Sequence, residues 1–97
     1  MVSPGDILST AKELVEGDRA KQHGDFIETH NQIAALASVV LDDKLKANLT
    51  AADVLKFMVV LKLGRIGNGS FNPDDVVDLC GYAALAGAAM ERECGTE

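Results

Sequence analysis

From Val76 to Met90 the chain carries a single charge, Asp78, in a run built largely of Ala, Gly, Leu and Val. Directly before it, Asn72-Pro73-Asp74-Asp75 is the strongest helix-start signal in the sequence. It offers a capping side chain, a proline for the first turn and two acids at the positive end of the helix dipole. A helix that is apolar all round must be covered on several sides. The remaining chain therefore has to wrap this element, a helix predicted over 73–92 with a frayed tail after it.

Three more helices follow from similar local chemistry. Ser3-Pro4-Gly5-Asp6 supplies an N-cap, a first-turn proline and an acid, and Gly17 a stop, which predicts a helix over 4–16. Thr50-Ala51-Ala52-Asp53 resembles a capping box and opens a helix over 51–66, closed by the breaker Gly67-Asn68-Gly69-Ser70. Between them a helix is predicted over 26–41, with Phe26, His30, Ile33, Ala37 and Val40 as its buried stripe. The glycine-bracketed segment 17–25 is expected to be an ordered loop and 42–49 a charged connector. No alternating strand pattern is present, and 97 residues suffice for one core. The reading is one all-α domain over 1–97, a four-helix bundle.

Composition narrows the classes of function. A net charge of -6 argues against a role on duplex DNA or RNA, which needs a basic face, though a small nucleotide bridged by a divalent cation stays open. The two cysteines, Cys80 and Cys94, are separated by about 21 Å of helix, too far for an intrachain disulfide. Reduced thiols and a cytoplasmic setting are expected. The start has neither basic nor apolar signal regions, and the longest apolar run is too short to cross a bilayer, so neither a signal peptide nor a membrane span is expected.

The charges that interrupt apolar patterns are the candidate site. A carboxylate on a buried helix needs a cation, a metal or good donors beside it. Asp78 is such a group, with Asp75 three residues earlier on the same face and Tyr82 four residues later. On the third helix Lys62 breaks the stripe Leu55, Val59, Ile66, and Arg65 follows it. Lys62 or Arg65 either pairs with Asp78 as a structural ion pair or serves a ligand's phosphate. Asp25 and Glu28, also three apart, either form a solvated first turn or join Asp75 and Asp78 in holding Mg²⁺. His30 is either a satisfied core histidine or a nucleotide contact, and His23 in the loop is open to both kinds of role. No zinc spacing, catalytic triad or phosphate-cradling glycine loop is legible. Ala83, Ala84, Ala86, Gly87, Ala88 and Ala89 make the fourth helix thin, which suits a close subunit contact. A homodimer or higher oligomer is expected to complete the bundle.

Several pieces in order resemble a small family of phage and prophage proteins. They are Gly17-Asp18-Arg19, His23-Gly24-Asp25, Glu28-Thr29-His30, Ile33-Ala34-Ala35-Leu36, Ala52-Asp53-Val54, Met58-Val59-Val60-Leu61-Lys62, Arg65, Asp74-Asp75-Val76-Val77-Asp78 and Gly81-Tyr82-Ala83. That family is similar to the all-α, MazG-like nucleoside triphosphate pyrophosphohydrolases, which hold Mg²⁺ on an E-x-x-E pair and a later E-x-x-D pair. The resemblance implies that fold and a nucleotide ligand. It would place metal on Asp25, Glu28, Asp75 and Asp78, and catalysis on Asp78 and Lys62. Nucleotide contacts would fall to Lys62, Arg65, His30 and Tyr82. The first motif departs from the pattern: Gly24 precedes Asp25, and Asn31 follows Glu28 by three, where further acids are usual. Three readings remain open from sequence: a Mg²⁺-dependent pyrophosphohydrolase, a nucleotide binder without turnover, and a phage module that docks on a host protein in the bacterial cytoplasm.

Overall fold

A computed structural model of the chain describes residues 3–17 and 26–95. Among the described residues it contains four α-helices: α1 (Pro4–Glu16), α2 (Phe26–Val40), α3 (Ala51–Ile66) and α4 (Pro73–Cys94). A 3₁₀ turn, Asp42–Lys44, which the sequence pattern does not mark, lies in the connector after α2. No strand occurs among the described residues. The segment expected as an ordered loop falls, apart from Gly17, outside the described residues, and His23 and Asp25 fall there with it.

The helix ends lie where local chemistry puts them. Ser3 and Asp6 form a reciprocal capping box, the Ser3 hydroxyl accepting from the Asp6 amide at 3.0 Å. Thr50 and Asp53 repeat it at the start of α3. Asn72 caps α4 by accepting from the Asp74 amide at 3.0 Å, with Pro73 next. Gly17 ends α1 so tightly that any Cβ there would collide with the Glu13 carbonyl. α4 runs two residues past the expected end because Gly95, in the left-handed conformation (φ 67°), is the actual stop.

α3 and α4 form an antiparallel hairpin, with α1 packed on α4 and α2 on α3. At one end the Ala52 amide donates to Glu93 at 3.1 Å, and at the other Arg65 meets Asp75. Ala52, Leu55, Ala86 and Ala89 make the core between them, with Phe26, Ile27, Tyr82 and Leu85 packed against it. No described helix is long and apolar enough to cross a membrane.

Two expected faces are corrected. On α2 the buried positions are Ala34 and Ser38, while Ile33 and Val40 of the expected stripe are exposed. Small side chains let α2 approach α3 closely, and the buried Ser38 hydroxyl accepts from the Leu49 amide at 2.7 Å. On α4, Val77, Gly81, Ala86 and Ala89 are buried, but Ala83, Ala84, Gly87 and Met90 face solvent. The helix is covered on the sides of α1 and α3 and not all round.

Candidate functional site

The antiparallel pairing of α3 with α4 brings the end of one helix beside the start of the other. Lys62 and Arg65, three apart on α3, therefore meet Asp75 and Asp78, three apart on α4. The pairs are nested about the turn: Lys62 Nζ lies 3.0 Å from Asp78 Oδ2, and Arg65 Nε donates to Asp75 Oδ1 at 3.0 Å. Asp75 Oδ1 also lies 4.0 Å from Lys62 Nζ, so one oxygen is shared by both cations.

Burial grades this cluster. The Asp75 and Lys62 side chains are 10% and 15% exposed, Asp78 34% and Arg65 57%. Asp75 is the buried anchor, and Arg65 reaches from it towards water. Beside them an open cleft of about 470 Å³ is bordered by Arg65, Asn68, Ser70, Asn72 and Asp75, with Leu61 and Gly64 on its apolar side. Asn68 and Ser70 come from the turn Gly67-Asn68-Gly69-Ser70, where Gly69 adopts φ 77° and the Asn68 side-chain amide donates to the Gly64 carbonyl. Their part in lining a cleft is absent from the sequence signal, which marks the same residues only as a helix breaker.

The remaining candidates lie elsewhere. Glu28 is exposed near the start of α2. Two residues before it, Phe26 packs under Arg92, whose Cζ is 5.1 Å from the ring centroid. Arg92 lies about 21 Å of helix beyond Asp78, so Glu28 stands towards the opposite end of α4 from Asp75 and Asp78. His30 is half-buried and its Nδ1–H donates to the Phe26 carbonyl at 2.7 Å, an intrahelical bond. Tyr82 sits one turn inward from Asp78, against the Ala52–Leu55–Ala86–Ala89 core. Among the described residues, no three His, Cys, Asp or Glu side chains cluster as a metal ion would require. Asp75 and Asp78 are each matched to a cation. Cys80 and Cys94 are free thiols.

Comparison with known proteins sets this geometry in a lineage. The chain is 38% identical over 79 residues to the Gene 55 protein of Mycobacterium phage L5, an overlap of 81% of this chain and 49% of that protein. It is 31% identical over 77 residues to the Gene 55 protein of Mycobacterium phage D29, covering 79% of this chain and 48% of the relative. The chain thus spans about half the length of the curated relatives it matches. No solved structure matches it. Over residues 6–90, a span that includes Lys62, Arg65, Asp75 and Asp78, the chain belongs to the family described as a domain of unknown function, DUF6378.

Proposed function

We propose that this chain is a phage-type protein that binds a small phosphorylated ligand, a nucleotide by its MazG-like resemblance, in the cleft at the α3–α4 turn. The observation that carries this reading is Arg65: its Nε is held by the buried Asp75 while its side chain as a whole stays 57% exposed beside the cleft. An arginine held this way is oriented before a ligand arrives and keeps its terminal nitrogens for a phosphate. Lys62 adds positive charge one turn away, and Asn68 and Ser70 offer neutral donors from the turn.

Hydrolysis through Mg²⁺ needs more than these residues provide. Asp75 and Asp78 already answer Lys62 and Arg65, and Glu28 lies towards the far end of α4, so the described residues do not form a metal centre by themselves. Binding, without a metal-dependent step, is what these residues support.

Thermal denaturation with a panel of nucleotides, each with and without Mg²⁺, tests this directly. A ligand at a hundred times its Kd stabilises the native state by about 2.7 kcal/mol. In a domain this small that raises the Tm by roughly 10 °C or more. The shift is expected without Mg²⁺ and is expected to vanish in Arg65→Met. A shift that requires Mg²⁺, together with release of pyrophosphate, would replace binding by hydrolysis. No shift with any nucleotide defeats the proposal. It would favour a second reading founded on the mutual neutralisation of the four charges, in which the cluster only fastens the hairpin and the chain docks on a host protein.

A further inference from the structure

Asp75 spends one oxygen on the hairpin and keeps the other. Its Oδ1 accepts from Arg65 Nε at 3.0 Å and lies 4.0 Å from Lys62 Nζ, whereas no described residue donates to Oδ2. The side chain is only 10% exposed. Yet among the described residues no fully buried side-chain oxygen is left without a partner. Oδ2 is therefore the part of Asp75 that reaches open space, and the cleft is the open space that Asp75 borders.

An ionised carboxylate oxygen can only accept, so its partner must bring a donor. The side chains around it are partly committed already: the Asn68 amide nitrogen to the Gly64 carbonyl, the Asn72 oxygen to the Asp74 amide. The same oxygen discriminates among anions. A bare phosphate drawn to Arg65 would meet a lone carboxylate oxygen beside the cation that attracts it. A phosphate ester whose alcohol part keeps free hydroxyls places a donor where that repulsion would fall. Nucleotides are such esters, and a carboxylate that accepts from the ribose hydroxyls is a recurrent way for proteins to hold them.

We infer, on the footing of the nucleotide reading above, that Asp75 reads the sugar: its free Oδ2 accepts a hydrogen bond from a ribose hydroxyl of the nucleotide whose phosphate lies at Arg65. One buried carboxylate then does two things, aligning the phosphate-binding arginine through Oδ1 and selecting the sugar through Oδ2.

Isothermal titration calorimetry of the whole chain with ATP, GTP, CTP and UTP, each against its dideoxy counterpart lacking both ribose hydroxyls, tests the assignment. Losing a hydrogen bond to a charged acceptor is expected to raise the Kd of the dideoxy form by about 10- to 100-fold. Asp75→Asn keeps the shape of the side chain and an oxygen for Arg65 but makes the acceptor neutral. The ratio of the two Kd values is expected to fall by about 3- to 10-fold in that variant. A purely structural role for Asp75 would not move this ratio, because weaker alignment of Arg65 affects both ligands alike. Equal affinity of wild-type protein for the two forms overturns the inference and leaves nucleotide binding standing, as does a ratio unchanged in Asp75→Asn. Failure of every nucleotide to bind removes both.

Discussion

Asp75 holds the α3–α4 hairpin more firmly than Asp78 because it is more deeply buried and one of its oxygens serves both Arg65 and Lys62. Asp75→Ala leaves Lys62, 15% exposed, with Asp78 alone, while the open Arg65 regains water. The expected loss is about 2 kcal/mol, read from urea unfolding. For Asp78→Ala, at a more hydrated position, it is about 1 kcal/mol. Lys62→Met retains the Arg65–Asp75 pair but leaves Asp78, 34% exposed, without its cation; it is expected to lower stability by about 1 kcal/mol and to weaken the nucleotide shift. These four residues were legible because charges that interrupt an apolar stripe must find partners. Their pairing was left open, with both cations weighed as partners for Asp78. An antiparallel hairpin turning near Ser70 nests the contacts instead, Lys62 with Asp78 and Arg65 with Asp75. The register is a tertiary property that spacing within each helix does not encode.

At the scale of the element, helix ends and helix faces were not equally readable. The ends are local chemistry: Ser3 with Asp6, Thr50 with Asp53 and Asn72 before Pro73 each satisfy first-turn amides whatever the helix packs against. Thr50→Ala is accordingly expected to lower stability by about 1 kcal/mol. The buried face of α2 was misjudged because a periodic pattern is weighted by large apolar side chains, and here Ala34 and Ser38 point inward while Val39 and Val40 point out. Ser38 matters through its hydroxyl, which takes the partly buried Leu49 amide as the chain turns into α3. Ser38→Ala removes that acceptor, and a loss of about 1–3 kcal/mol is expected in the same urea titration. Thr50→Ala and Ser38→Ala act on the entry to α3 from its two sides. Because they act on the adjacent residues Leu49 and Thr50, their effects are expected to couple in the double variant rather than add.

At the scale of the whole molecule, the expectation of an oligomer began from α4, yet the surface left uncovered by large side chains is chiefly on α3 and α2. That shift changes what salt should do. Each copy carries a net charge of -6, so bringing two together opposes like charges. Contact between apolar side chains gives no attractive ion pairs in return. Screening should therefore favour self-association: raising NaCl from about 50 to about 300 mM shortens the reach of that repulsion from roughly 14 to 6 Å. A nucleotide phosphate at Arg65 and Lys62 is held by attraction of opposite charges, and the same salt should weaken it. Two titrations on one sample, self-association by sedimentation and ligand-induced Tm shift at fixed nucleotide, are thus expected to move in opposite directions. If both processes weakened with salt, contacts between copies would be made by ion pairs and not by this apolar surface.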